Sequence, residues 1–239
     1  MKAVILAGGK GTRLAPYTKI LPKPLMPIGD MPILEILLRQ MKTAGVTDAI
    51  LTVGHLAELL NAFFKDGERF GLKIQYSIED KPLGTAGPLA LVADQLRETF
   101  LVANGDVLTT LDLAELVDAH RCSGALATIA SHARQVKIDL GVLQFDGSNE
   151  VVGYIEKPVY DFFVSMGIYV FEPAVLQYIP YEEYLDFPEL VLKLLSHGER
   201  VQAYCFDGYW QDLGRAEDYE QAVQEFEALK HLILKEELT

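Results

Sequence analysis

Met1-Lys2-Ala3-Val4-Ile5-Leu6-Ala7-Gly8-Gly9-Lys10-Gly11-Thr12-Arg13-Leu14 is the stretch whose reading decides the fold. Ala3 to Ala7 is an unbroken apolar run, short enough for a strand buried on both faces. It stops at Gly8, Gly9 and Gly11. Glycine adopts backbone angles that other residues resist and lets a ligand come close to the main chain. A loop of this kind after a buried strand turns its N–H groups toward an anion. Lys10 and Arg13 place positive charge at the same spot.

The charges around the loop sharpen this reading. The chain carries a formal net charge of -13. Residues 1 to 29 nevertheless hold no Asp or Glu, while they hold Lys2, Lys10, Arg13, Lys19 and Lys23. One-sign charge within an oppositely charged chain is what an anionic ligand selects. The competing reading is an ordinary turn beside a solvated basic face.

Outward from the loop, strand and helix signals alternate. Helical patterns cover 33–45, His55 to Phe64, Thr85 to Leu96 and Asp112 to His120, and strands cover Val46 to Val53, Leu72 to Ile78 and Phe100 to Asn104. This alternation predicts an α/β fold: a doubly wound, mostly parallel sheet with helices on both faces. Strands then dominate at Ala125 to Ala133, Asp139 to Phe145, Val151 to Ile155 and Phe163 to Phe171. Asp146-Gly147-Ser148-Asn149 reads as a hairpin turn. A helix at Asp186 to Leu195, a strand at Val201 to Phe206 and a last helix at Glu217 to Leu234 complete the chain. Tyr219, Val223, Phe226 and Ile233 fall roughly along one side of that helix.

Two aspartates stand out. Asp106 follows the buried strand ending at Asn104, and ligands of open α/β sheets sit at such carboxyl ends. Asp212 lies in Trp210-Gln211-Asp212-Leu213-Gly214. If they converge they form an oxygen site for Mg²⁺, which needs few protein ligands and keeps waters and phosphates. Otherwise Asp106 is a turn or cap residue and Asp212 caps the last helix.

Known phosphate loops do not fit. A Walker loop requires Ser or Thr after Gly-Lys, and Gly11 follows Lys10. A dinucleotide fingerprint requires a third glycine where Leu14 stands. Gly8 to Leu14 followed by Pro22-Lys23-Pro24 instead resembles the signature of the sugar-1-phosphate nucleotidyltransferases. Leu83-Gly84-Thr85, Asn104-Gly105-Asp106, Glu156-Lys157-Pro158 and Trp210-x-Asp212-x-Gly214 follow in that family's order, so the resemblance spans the chain.

The resemblance implies one Rossmann-like domain over 1–239, with a nucleotide-binding half at 1–111 and a smaller, β-rich sugar-phosphate half at 112–239 that includes the last helix. It implies transfer of a nucleotidyl group from a nucleoside triphosphate to a sugar 1-phosphate, with Mg²⁺ on Asp106 and Asp212. Arg13 and Lys23 join them as catalytic residues. Leu6, Ala7, Gly8, Gly9, Gly11, Thr12, Arg13, Lys23, Glu79, Gly84, Thr85, Asn104 and Asp106 would bind the nucleotide. Gly141, Glu156, Lys157, Ser165 and Gly167 would bind the sugar phosphate. Relatives often carry Asn where Ser165 stands, and Met166 reads as core. The loop at Pro82 to Leu89 is closest in wording to mannose-1-phosphate guanylyltransferases. A carboxylate at Glu79 suits guanine, which offers two donors, and also uracil or thymine, which offer one.

A sugar 1-phosphate is already ionised at neutral pH, so such a transfer needs alignment and charge neutralisation rather than a general base. A nucleotide-sugar sensor, or a transferase for another phosphate acceptor, are rival readings. Cys122 and Cys205 give neither a disulfide framework nor metal spacing, and their apolar neighbours predict buried thiols. No signal peptide or membrane-crossing run is apparent, which predicts a cytoplasmic protein. A sequence pI near 4.8 argues against nucleic acid as partner, and a homo-oligomer is compatible. The chain ends before any left-handed β-helix or nucleotide-sensing extension, so acetyltransfer and that form of regulation are not expected.

Overall fold

The computed structural model describes residues 1–9 and 11–235; Lys10 of the glycine loop lies outside the described residues. Apart from the two-residue pair Pro27–Ile28 and Met31–Pro32, the strands in chain order are β1 (Lys2–Leu6), β2 (Asp48–Val53), β3 (Lys73–Ile78), β4 (Phe100–Asn104), β5 (Val107–Thr109), β6 (Ala127–Lys137), β7 (Val142–Phe145), β8 (Val151–Ile155), β9 (Val159–Phe171), β10 (Val201–Phe206) and β11 (Trp210–Asp212). The α-helices are α1 (Ile33–Thr43), α2 (Ala57–Phe64), α3 (Leu113–Ser123), α4 (Phe187–Ser196) and α5 (Ala216–Leu234).

Seven strands form the main sheet in the order β10-β6-β9-β4-β1-β2-β3. Only β9 runs antiparallel to its neighbours, β4 and β6. The mostly parallel mixed sheet matches the expected class. β1 reads as a pure apolar run because it is buried on both faces. Ala3 and Ile5 join one core with Leu34 and Leu37 of α1, Leu60 of α2 and Leu116 of α3. Val4 joins the opposite core with Phe187, Leu190 and Leu194 of α4. The order β3-β2-β1-β4 turns back between β1 and β4, the point where ligands sit in such sheets.

A third core fixes the return of the glycine loop. Phe226 of α5 is fully buried with Leu14, Ile28, Ile33 and Leu213. Gln40 Nε2 joins α1 to α5 and β5 by donating to Ile233 O at 2.9 Å and Thr109 O at 2.7 Å. Phe226→Ala is expected to cost about 3–5 kcal/mol, read as a shifted urea midpoint with unchanged slope. A loss under about 1 kcal/mol would show that this core does not hold α5 in place.

Three expectations need correction. The segment predicted helical at Thr85 to Leu96 is 3₁₀ over Gly87–Gln95, entered from a loop whose Ala86 and Gly87 N–H groups both donate to Leu185 O. Val223 is exposed, and Ala222 takes the inward place beside Phe226. Cys122 and Cys205 are exposed: one ends α3 and the other points outward from the edge strand β10. The rival reading of Asp212 as the cap of the last helix does not hold, since Arg215 occupies the N-cap of α5. β6 and β9 are also longer than predicted, and their paired ends extend past β4. Met166 is core, as expected. No helix of the described residues is long and apolar enough to cross a membrane.

Candidate active site

The loops after β1, β2 and β4 are laced together at the carboxyl edge of the sheet. Ala7 N–H donates to Thr52 O and Gly105 N–H donates to Leu6 O, both at 2.9 Å. Gly11 has φ of +59°, and a Cβ there would stand 2.9 Å from Thr18 Cγ2. Buried Thr18 also holds the loop by donating to Gly11 O at 2.7 Å. Only glycine fits this close, left-handed position.

A cleft of about 770 Å³ opens on this edge. Leu6, Gly8, Gly9, Arg13, Glu79, Gly84, Thr85, Asn104 and Asp106 line it. A smaller recess of about 160 Å³ adjoins it, with Ala7, Gly11, Lys23 and Gly214 in its walls. Thr12 opens a short 3₁₀ turn outside both, with its side chain toward solvent.

The charged groups converge, although they lie as far apart as residues 13 and 212. Lys23, itself buried, forms an ion pair with Asp106. β5 and β11 pair antiparallel, with Asp212 opposite Val107. Leu213 N–H then donates to Asp106 O at 3.1 Å. A Cβ on Gly214 would lie 3.1 Å from Asp212 Oδ2 and 3.3 Å from Arg13 Nη2, so those two side chains flank that glycine. Burial by its neighbours pushes the Asp212 carboxyl above the usual range, and the charge of Asp106 adds to this; Lys23 and Arg13 oppose it. Two carboxylates and two cations thus share one corner of the cleft.

Glu79 forms the far wall. Burial raises its carboxyl, while the Leu83 N–H, donating to Oε2 at 3.2 Å, works against that rise. Its Oε1 sits 2.9 Å from where a Gly8 Cβ would be, so a side chain there would have to displace the carboxylate. The loop at 83–87 is bolted to the start of α4. Gly84 has φ of +79°, and a Cβ there would approach Leu185 O to 2.5 Å. Asp186 Oδ1 accepts from Thr85 N–H at 2.9 Å and from Thr85 Oγ1 at 3.1 Å. Thr85 Oγ1 accepts in turn from Phe187 N–H at 2.9 Å. The polar atoms of Thr85 therefore serve the loop itself.

Sequence reading missed Asp186 and Tyr184 as cleft residues. Asp186 was visible only as a helix start: Asp186-Phe187-Pro188-Glu189 is a capping box, which the structure contains. Nothing local in the sequence ties it to a loop a hundred residues away. His55 and Lys81 also line the cleft without a motif to reveal them.

The residues assigned to the sugar phosphate lie apart from these walls. Glu156 and Lys157 are exposed at the foot of the β7–β8 hairpin, where Glu156 Oε2 accepts from Tyr154 OH at 3.2 Å. Gly141 packs against the Tyr154 ring. Ser165 donates to Tyr169 OH at 3.0 Å and accepts from Gly167 N–H at 3.3 Å. Gly167 alone reaches the site directly: a Cβ there would stand 2.5 Å from Asn104 Nδ2.

Comparison with known proteins places this geometry in context. The chain is 38% identical to a UTP–glucose-1-phosphate uridylyltransferase of Synechocystis over 94% of its length, covering 63% of that protein. It is 39% identical to a mannose-1-phosphate guanylyltransferase of Mycobacterium tuberculosis over 91% of its length, covering 62% of that protein. It thus spans less than two thirds of these relatives. The structure of HddC from Yersinia pseudotuberculosis complexed with GMP-PN superposes with a TM-score of 0.72 at 26% identity, covering 94% of this chain and 99% of that one. The nucleotidyl transferase family model matches residues 2–228, and the chain belongs to that family.

Proposed function

We propose that this chain transfers a nucleotidyl group from a nucleoside triphosphate to a sugar 1-phosphate, releasing pyrophosphate. The carrying observation is the corner where Arg13, Lys23, Asp106 and Asp212 meet beside the glycine loop. Main-chain N–H groups of the loop and the two cations would receive phosphates. The attacking phosphate oxygen is already ionised, so the protein's work is to align two anions and offset their repulsion.

The four charged side chains balance one another, which leaves little net attraction for a triphosphate and a sugar phosphate together. A divalent cation fits this donor set: burial, and then the charge of Asp106, raise the carboxyl of Asp212, and a metal held between the two carboxylates would offset both. Mg²⁺ held by Asp106 and Asp212 would neutralise and orient phosphates. Arg13 then steadies the departing pyrophosphate, and Lys23 meets the phosphate nearest Asp106.

For the base we favour guanine, and for the sugar a mannose- or heptose-type 1-phosphate. Glu79 offers acceptors only, and guanine presents two donors to a carboxylate. The 39% identity to a mannose-1-phosphate guanylyltransferase and the GMP-PN bound by HddC support this. The 38% identity to a uridylyltransferase makes UTP the direct competitor. Pyrophosphate release from four triphosphates against a panel of sugar 1-phosphates tests both levels. Release with none of them overturns the transferase; preference for UTP or dTTP overturns only the base assignment.

Asp186 should act as a positioning residue for the base loop. Asp186→Ala is expected to raise the triphosphate KM about tenfold with kcat nearly unchanged, because the charged corner is untouched. It should also lose about 1 kcal/mol of stability as a missing helix cap. A fall in kcat at constant KM would show that the loop does not act through binding.

A further inference from the structure

The segment just before α4 carries a ring that the proposed chemistry leaves unused. Residues 183–186 run alongside the loop at 83–87. Leu185 N–H donates to Leu83 O at 3.0 Å, and Leu185 O accepts from Ala86 N–H at 2.8 Å and from Gly87 N–H at 3.0 Å. A Cβ on Gly87 would stand 2.7 Å from Glu183 O. Leu185 packs against the core that holds Val4, while its two neighbours, Tyr184 and Asp186, both line the cleft.

Tyr184 brings the one benzene ring to that lining, and the residue is 59% exposed. The ring is nevertheless held. Its OH donates to Asp186 Oδ2 at 2.6 Å. The other oxygen of the same carboxylate, Oδ1, accepts from Thr85 N–H at 2.9 Å. One carboxylate therefore fixes the ring relative to the loop. Its hydrogen bond and charge also push the phenol above the usual tyrosine range, so the OH stays a donor. His55, the other aromatic ring in the lining, makes no hydrogen bond among the described residues.

The layout of the cleft limits what such a ring can meet. Phosphates are assigned to the glycine loop, where Arg13 and Lys23 supply charge. A neutral ring adds nothing to phosphate binding. Tyr184 instead stands on the segment bolted to the loop assigned to the base. Every nucleobase has a π-face, and stacking on an aromatic side chain strengthens binding whatever the base edge bonds to. Tyrosine suits the task, with an apolar body for the stack and a polar tip for the tether.

We infer that Tyr184 is a stacking residue of this cleft: the base of the nucleoside triphosphate lies against its ring while Glu79 meets the base's edge. This rests on the proposed reading of the cleft as a nucleotide site. It adds the residue by which the cleft tells a nucleotide from a bare polyphosphate. A stack is indifferent to the base's edge, so the role of Tyr184 is the same for guanine and for uracil.

Isothermal titration calorimetry on the full chain tests it, with Mg²⁺ present, sugar phosphate omitted, and GTP, UTP and inorganic tripolyphosphate as probes. Tyr184→Ala is expected to weaken the better-bound nucleotide about tenfold or more and to leave tripolyphosphate within about twofold. Tyr184→Phe should recover most of the loss, because the ring survives without its tether. Tyr184→Leu, with similar bulk and no π-face, should stay as weak as Tyr184→Ala. In turnover assays the loss should fall on the triphosphate KM rather than on kcat. Unchanged circular dichroism shows that each variant is folded. Equal nucleotide affinity in wild type and Tyr184→Ala, a Tyr184→Phe as weak as Tyr184→Ala, or a loss found only in His55→Ala overturns the stack. A wild type that binds tripolyphosphate as tightly as both nucleotides overturns the nucleotide reading with it. Tight binding that depends on Tyr184 but yields no pyrophosphate with any sugar 1-phosphate supports the stack and overturns only the transferase.

Discussion

Asp106→Asn is expected to lower kcat by about a thousandfold or more, with the fold intact. A thousandfold loss corresponds to about 4 kcal/mol of transition-state stabilisation, the scale on which a bound cation acts at reacting phosphates. Asparagine keeps the size of the side chain and can still accept from Lys23, so the ion pair's geometry survives while its charge does not. The substitution also removes the carboxylate whose charge raises Asp212, so the two oxygens cease to act as a pair. Asp212→Asn should fail to a similar degree, and the double variant should be little worse than either, because groups serving one cation do not contribute independently. Steady-state pyrophosphate release gives kcat, and Mn²⁺ titration by electron paramagnetic resonance reads the cation directly. A variant within tenfold of wild type, or one binding Mn²⁺ normally, would remove the metal role from Asp106.

The parts of this site that local sequence could announce are those carried by backbone chemistry. An apolar run ending in glycines is a buried strand with a ligand loop, because no other residue type tolerates the position of Gly11. Asp106 was legible for the same reason: it follows a strand buried on both faces. Asp212 needed more, since its place beside Asp106 comes from the β5–β11 pairing, a contact between residues a hundred positions apart. Only the order of the motifs pointed to it. Asp186 was hidden because one carboxylate caps α4 and also holds the loop at Thr85, and the cap alone explains its sequence pattern. The start of β9 escaped for another reason: Val159 to Val164 interleaves Asp161 with aromatics on a stretch exposed on both sides, so neither a buried run nor a clean alternation marks it. The thiols were misplaced because apolar neighbours in sequence do not fix which side of a helix end or edge strand faces water.

Lys23→Met separates two roles that the structure gives to one ammonium. Lys23 is buried in a 3₁₀ turn between Pro22 and Pro24, which stiffen the backbone there, and its amine pairs with Asp106. Methionine preserves the stem and removes the charge. If Lys23 is only the counter-ion of Asp106, its loss leaves two carboxylates facing Arg13 alone; the cation should then bind at lower concentration, and kcat should hold once metal is saturating. If Lys23 also meets phosphate, kcat should fall about 10²–10³-fold even at saturating Mg²⁺, the usual cost of removing one preorganised donor from developing charge. We expect both effects together: a lower Mg²⁺ concentration at half-maximal rate and a kcat that no added metal restores. Lys23→Arg should not recover activity, because a planar guanidinium does not fit a buried pocket shaped for a compact ammonium. Measuring rate against Mg²⁺ for wild type, Lys23→Met and Lys23→Arg decides it, and full activity of Lys23→Met at high Mg²⁺ would confine Lys23 to holding Asp106 in place.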